Sequence, residues 1–546
     1  MLRTHPLPVI TSSLLKGRAA FRRRPFRTGL LGLCLCWACA TPAEQVRAAD
    51  AEVFALLEER RNELFSSSEP LTIDKQSESL REMIVAGTWT STVPLSLIDC
   101  LEIAADNSRD YQSQKEQLYL EALDLTLERW QFSRRPFSSL GASTSGSDSG
   151  DDTVEADASV GFTQLLGSGA SIVTSIGTDL FRVVSTGSGW DVLTGISLSI
   201  TQPLMRGAGR AIAREPLTQA ERDLVYEVRS FERYRRTFAV DVAQRYYDLL
   251  EAIDELHNEE GNYANLTALR TRNEALSAAG RLSDIEADQA RQNELRSETR
   301  LISLRASLER ERDQLNLFLG LPVGALLPLD PQEFERLSSI DAWASGLDEE
   351  AAIVIALATR LDLMTTRDGL EDTRRRVAIA EDALRAGLGL DASMGADQDG
   401  VSWSAALSLD LPADRVAERN AYRAQLISLA SSERNLVASE DNIAAGVREA
   451  LRNVRNSRQS FAIQEGAVIL AQRRVESAQL NLDAGRASTR DWLEAREALL
   501  EAENAATSAL ITFTLARLDL YLQLEVLVVD EDGLHPDTTL LEVTPS

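Results

Sequence analysis

Gly280-Arg281-Leu282-Ser283, followed by Glu286 and Ala290, returns further along the chain as Gly485-Arg486-Ala487-Ser488, followed by Asp491 and Ala495. The offset is 205 residues, and Val242 falls on Val447 at the same offset. Upstream, Ile103-Ala104 and Asp110 match Ile355-Ala356 and Asp362, but at an offset of 252. The chain is therefore two related halves, and the first carries 47 extra residues between Asp110 and Val242. A repeat this long is not a solenoid unit of about 20–50 residues. It is a duplicated half-protein.

Each half ends in a long proline-free span, Pro216 to Pro322 and Pro412 to Pro536, rich in Ala, Leu, Glu, Arg and Gln. These are strong helix formers. Leu301, Leu304, Leu308 and Leu315, and Val475, Ala478 and Leu482, keep helical spacing. Gly280 and Gly485 stop the helices and divide each span into a long arm, about 217–279 and 413–484, and a short arm, about 281–320 and 486–525. At 1.5 Å per residue the long arms reach about 95 and 108 Å and the short arms about 60 Å. A further helix near 106–132 and near 356–384 supplies the missing length, so each half makes two matched columns.

The segments before Pro216 and Pro412 follow a different period. Val154, Ala156, Ala158, Val160 and Phe162 alternate with polar or small residues, as do Ile172 to Leu180 and Trp190 to Ile200. In the second half Leu388 to Met394 and Val401 to Leu409 alternate in the same way. Period two gives one apolar and one polar face. Strands of about ten residues with this pattern suit a membrane barrel with a wet lumen, and they also suit a soluble sheet packed on helices. The export signal described next and the very long helices favour the barrel. The middle stretch, Ile172 to Leu180, belongs to the 47-residue surplus. Whether a closed barrel holds twelve strands or more depends on that surplus.

Arg3, Lys16, Arg18, Arg22, Arg23, Arg24 and Arg27 precede the apolar run Gly29 to Ala40. That run is too short to span a membrane and has the length of a signal-peptide core. Residues 1–48 read as an export signal, cut after Ala38-Cys39-Ala40 or Val46-Arg47-Ala48, or alternatively lipidated at Cys39. Cys100 is the one cysteine beyond this segment, so the mature chain has no pair to bridge. The formal net charge of −27 argues against nucleic acid, whose phosphates need a basic face.

Leu95-Ser96-Leu97-Ile98-Asp99-Cys100-Leu101-Glu102-Ile103-Ala104 resembles the opening "LTLEEALxxAL" of the TolC-family outer-membrane efflux proteins. Val242 to Leu250 resembles the family's "VAxxYYDLL", Ser199 to Leu204 its "xxxQPLF", and Gln289-Ala290 with Asn316 to Pro322 its "QA … LxxLLGLP". These motifs recur in order from about 95 to about 530. The resemblance implies a mainly α protein with a membrane β-barrel: a homotrimer whose chains share one outer-membrane barrel and one periplasmic helical tunnel. It implies an efflux or secretion duct with no enzymatic step and no cofactor, joined through a periplasmic adaptor protein to an inner-membrane transporter. It divides the chain into an extension at 49–94, a first repeat at 95–330 (strands about 137–204, hairpin about 214–320), a linker at 331–347, a second repeat at 348–526 (strands about 386–411, hairpin about 413–525) and a tail at 527–546.

The resemblance also assigns roles at the tips. Gly280, Arg281, Leu282 and Ser283, with Gly485, Arg486, Ala487 and Ser488, fall where the adaptor docks. Asp491 and Glu494, with Glu286, fall at the acidic ring of the closed entrance. Asp491 and Glu494 are three apart and share a helix face; without the resemblance they read as a solvated acidic face. The family often has a basic residue where this chain has Ala487, with Arg486 and Arg490 beside it. Residues 49–94 and the surplus have no counterpart in it. A periplasmic coiled-coil scaffold or adaptor without a pore is the alternative, and it would not be duplicated.

Other motifs are weaker. Asp397-Gln398-Asp399-Gly400 and Asp530-Glu531-Asp532-Gly533 lack calcium-loop spacing and read as turns. Arg206-Gly207-Ala208-Gly209-Arg210 could cradle a phosphate, but it has no Lys-Ser/Thr and follows Gln202-Pro203, so it reads as a strand-to-helix turn. Arg229, Arg233, Arg235 and Arg236 could bind an anion, but read rather as a solvated face or as partners of a neighbouring chain's acids. Trp190, Phe181, Phe162 and Trp403 are candidates for an interfacial belt. His257 and His535 share no metal-binding spacing with Cys100.

Overall fold

The structure, a computed structural model, describes residues 41–65, 72–73, 80–87, 94–146, 152–183, 189–339, 347–411, 413–530, 533–537 and 539. Most of the 1–48 segment, including the Ala38 to Ala40 cut and Cys39, lies outside them. The chain divides into a unit of residues 1–52 and a unit of residues 53–546. Helix α1 (Pro42–Phe65) runs through the boundary and includes Val46-Arg47-Ala48. Within the second unit Val53, Leu56 and Leu57 are buried in the main core, and Phe54 packs on Tyr119 at 5.7 Å between ring centroids. Arg61 donates to Glu232 at 3.2 Å, both buried. Part of the extension is thus built into the core of this unit. A short helix α2 (Leu80–Val85) follows.

The duplication is repeated element by element. The first half begins with α3 (Leu97–Asn107) and α4 (Arg109–Gln131), the second with α9 (Glu349–Thr359) and α10 (Leu361–Asp382). One extended residue, Ser108 or Arg360, breaks each pair. The expected single helices near 106–132 and 356–384 are therefore α4 and α10, each preceded by a separate 11-residue helix. Ser96 starts α3 through a reciprocal capping box with Asp99.

The long arms are α6 (Glu215–Ala278) and α11 (Val416–Asp483), and the short arms are α7 (Asp284–Phe318) and α12 (Thr489–Gln523). Both α4 and α7 pack along α6, and both α10 and α12 along α11. Four helical columns per chain result. Helix α5 (Arg210–Ala213) leads into α6, and α8 (Glu333–Ser339) lies in the linker. The main core gathers where the halves meet, around Tyr246, Tyr521, Phe231 and Leu250. Tyr111, Phe238 and Phe318 form a run of ring contacts at 5.1 and 5.2 Å. Among the described residues no helix is long and apolar enough to cross a membrane.

Six strands form one antiparallel sheet in chain order: β1 (Arg135–Ser145), β2 (Thr153–Leu165), β3 (Ser171–Val183), β4 (Asp191–Pro203), β5 (Gly387–Asp397) and β6 (Gly400–Asp410). The first half supplies four and the second two. Alternation marks β2 to β6 in the sequence but not β1, where Phe137 and Leu140 fall three apart. The β5–β6 turn is the expected hairpin turn, with Asp397 opposite Gly400 and Gly400 at φ 140°. A small hairpin of β7 (Leu527–Asp530) and β8 (Gly533–Pro536) closes the described chain.

Candidate functional site

The registers carry two faces across the sheet, one mostly apolar and one mostly small or polar. One face carries Leu140, Ala158, Val160, Ile176, Ile196, Leu198, Met394, Trp403, Leu407 and Leu409. The other carries Ser139, Ser159, Ser175, Ser197, Ser393 and Ser404, with Gly161, Gly177 and Gly195 between them. Hydroxyls cross the strands on this face, Ser139 to Ser159 at 2.6 Å and Ser393 to Ser404 at 2.8 Å. Among the described residues nothing covers the apolar face: Leu140 is 84% exposed, Trp403 78% and Leu407 70%. A soluble sheet would bury such a face, and a contiguous patch this size marks contact with another protein or lipid. The belt reading fails for Phe181, which stands on the polar face between Glu155 and Asp191, whereas Phe162 and Trp403 share the apolar face.

At the other end of the long helices the two tips are built alike. Ala279 and Ala484 cap the long arms, and Gly280 and Gly485 follow at φ 68°. Gly280 N–H donates to the Ser277 carbonyl at 2.8 Å and Arg281 N–H to Leu276 at 2.9 Å. Gly485 donates to Leu482 at 3.1 Å and Arg486 to Asn481 at 2.8 Å. This double closure is the Schellman motif, and its left-handed residue favours glycine. Three residues on, Ser283 and Ser488 accept from the N–H groups of Glu286 and Asp491, both at 3.3 Å. Gly-x-x-Ser-x-x-acid thus stops one helix and starts the next. Read from the sequence as a helix stop followed by a capping box, it gives the acidic residue a role that the gate reading alone did not.

The tip carboxylates are engaged locally. Asp491 Oδ2 accepts from the Ser488 N–H at 2.9 Å and the Ser488 hydroxyl at 2.8 Å, and these bonds hold its carboxyl below the usual range. Arg490 donates to Glu494 at 2.8 Å, and Ser283 Oγ donates to Glu286 at 3.2 Å. Asp491 and Glu494 are exposed, and Glu286 is half-buried. Arg281, Arg486, Ser283 and Ser488 are exposed, while Leu282 and Ala487 are half-buried. The structure brings the two tips side by side. Asn273 donates to Thr489 Oγ1 at 3.0 Å and Arg272 to Asp483 at 2.7 Å. Leu266, Leu269, Ala290, Trp492 and Leu493 form a small core between them.

The arginine row on α6 is neither a solvated face nor free for a neighbouring chain. Arg229 pairs with Asp368 at 2.6 Å, Arg235 with Glu232 at 3.3 Å, and Arg233 and Arg236 both reach Glu525. Glu525 is buried and takes φ 59°. The pairs to Asp368 and Glu525 tie α6 to the second half and to the end of α12. Sequence spacing could not find them, because most of the partners lie far along the chain. Arg206 to Arg210 forms the expected strand-to-helix turn, with Gly207 N–H on Asp382 at 2.7 Å. His535 contacts Asp530 at 2.8 Å across the β7–β8 turn. Among the described residues no group of three or more His, Cys, Asp or Glu could hold a metal ion.

No family model matches the chain, and the search of curated proteins finds no match either. Solved structures do match. The CmeC outer membrane channel of Campylobacter jejuni is 14% identical, with a TM-score of 0.59 over 84% of this chain and 94% of that one. The open-state MtrE outer membrane channel of Neisseria gonorrhoeae is 14% identical, with a TM-score of 0.56 over 84% and 97%. The outer membrane protein VceC of Vibrio cholerae is 16% identical, with a TM-score of 0.55 over 78% and 95%. The chain has the fold of these outer-membrane channels, helical hairpins joined to a sheet that one chain leaves open.

Proposed function

We propose that the chain is the outer-membrane duct of a tripartite efflux or secretion system. Three copies close one barrel in the outer membrane and one helical tunnel in the periplasm. The observation that carries this is the six-stranded sheet, mostly apolar on one face and mostly polar on the other, with β1 and β6 as its open edges among the described residues. Open strand edges are not tolerated in lipid, so the sheet must close with other copies. The likeness to outer-membrane channels supports the same reading. The duct is passive, its cargo driven by an inner-membrane transporter through a periplasmic adaptor. Chromatography with light scattering in detergent should give the mass of three chains, and the trimer should conduct ions in a planar bilayer. A protein that washes from membranes with salt and does not conduct would instead be the periplasmic scaffold.

In this reading the tips dock the adaptor, and Asp491, Glu494 and Glu286 form the entrance ring. Docking is separable from folding, because the Schellman bonds use the backbone of Arg281 and Arg486 and leave both side chains exposed. Arg281→Glu combined with Arg486→Glu should leave trimer yield unchanged. Export should fall by about tenfold or more, the effect of losing about 1.4 kcal/mol of docking energy. Loss of the trimer in this variant would make the two arginines structural and remove the docking role.

A further inference from the structure

We infer that the closed barrel has eighteen strands, and that the hairpin β2–β3 is wall that widens the lumen to match the helical tunnel. This rests on the three-copy duct proposed above. The repeat identifies the hairpin. β1 follows α4 as β5 follows α10, and β4 leads into the α6 arm as β6 leads into α11. β2, β3 and their turns have no counterpart, and they account for nearly all of the 47-residue surplus.

Two observations make the hairpin wall and not a flap. First, it lies between β1 and β4 with unbroken register, Val160 opposite Ser138 and Ile176, and Ile176 opposite Ile196. Its apolar and polar faces continue those of its neighbours. Second, its inner turn is fixed to the base of the helical part. Ala170 is buried, Gly209 N–H donates to the Ser168 carbonyl at 3.3 Å, and Ser168 Oγ donates to Gln202 at 3.1 Å. Gly169 sits at φ 89°, and a Cβ there would lie 3.0 Å from the Gly207 carbonyl oxygen.

The dimensions then agree. Eighteen strands about 4.8 Å apart, tilted about 40°, have a circumference of about 110 Å and a backbone diameter of about 36 Å. Four columns per chain put twelve helices in the tunnel ring, and at about 9–10 Å spacing their circumference is also about 110 Å. Twelve strands, two from each half in three copies, would give a diameter of only about 24 Å. The surplus hairpin removes that narrowing. The duct reaches the outside at full tunnel width, so size selection rests with the helical tips and the barrel passes bulky, hydrated cargo.

The test uses the full chain in outer membranes, and a shortened chain in which Ser145 is joined to Asp191 through Gln398-Asp399, the two residues of the β5–β6 turn. β1 and β4 remain antiparallel in the shortened chain with their faces matched. Ser197→Cys on the polar face of β4 is introduced in both. A maleimide polymer whose coil diameter lies between the two lumens should label the full chain and not the shortened one. Independently, Ser175→Cys in the full chain should react with a small hydrophilic maleimide and Ile176→Cys should not, each read against the unsubstituted chain. Polymer exclusion by the full chain, equal labelling at 175 and 176, or a mass of two chains would each overturn the eighteen-stranded wall while leaving a membrane channel. If the shortened chain fails to assemble, the full chain's polymer entry and the 175/176 contrast still decide. No membrane-embedded oligomer at all would overturn the duct reading and this inference with it.

Discussion

Ile196→Arg should abolish assembly of the membrane form, while Ser197→Arg, one residue on, should leave it intact. Ile196 sits near the centre of β4, opposite Ile176 on one side and Ala396 on the other, and is 52% exposed on the face without protein cover. An arginine at mid-bilayer depth on the lipid face of a barrel costs about 2–4 kcal/mol. Every chain of a closed barrel carries the change, so a trimer bears it three times over. The total of about 6–12 kcal/mol is comparable to the whole of a typical marginal stability of about 5–15 kcal/mol. Ser197 stands opposite Ser175 and Gly395 on the polar face, where added charge meets water. The measurement is the trimer band in membrane fractions, run without heating. Equal tolerance of both changes would mean that the apolar face meets protein instead of lipid.

The faces, the arms and the duplication could all be read from the sequence because each depends on local periodicity or on one turn residue. Gly280 and Gly485 marked the ends of the long arms to within two residues. Strand β1 falls inside the strand region that begins near 137, but its alternation went unread because it is broken in sequence and restored only in the sheet. Phe137 lies on the polar face, where Gly161 opposite makes room for its ring: a Cβ at 161 would come 2.7 Å from Phe137 Cζ. Its period is a property of the pair of strands. The arginines of α6 escaped for a similar reason, since Glu525 is nearly three hundred residues from Arg233. The two short helices α3 and α9 were hidden by their near-continuity with α4 and α10. Yet the Ser96 capping box and Asp348, which accepts from Glu350 N–H at 3.2 Å, are start signals of the ordinary kind.

The same capping chemistry sharpens what the entrance should do. Asp491→Asn combined with Glu494→Gln should remove most of the duct's cation selectivity at low salt and weaken block by multivalent cations. In the trimer proposed above Asp491 and Glu494 would gather six carboxylates about one axis, an arrangement that concentrates cations. Arg490 lies against Glu494 at 2.8 Å, but the pair is exposed and such pairs bind weakly, so it mutes the ring without cancelling it. Asn at 491 keeps an oxygen that can accept from the Ser488 N–H, so the helix start survives and the change is one of charge. Acidification should imitate the variant only at low pH. The bonds from Ser488 hold the Asp491 carboxyl below its ordinary value, so its charge is lost at a lower pH than that of a free aspartate. Raising the salt to 1 M shortens the screening length to about 3 Å and should erase the difference between variant and parent. Unchanged selectivity and block at low salt would place these carboxylates on the outer, solvated side of the tip, and the entrance ring would have to be sought elsewhere.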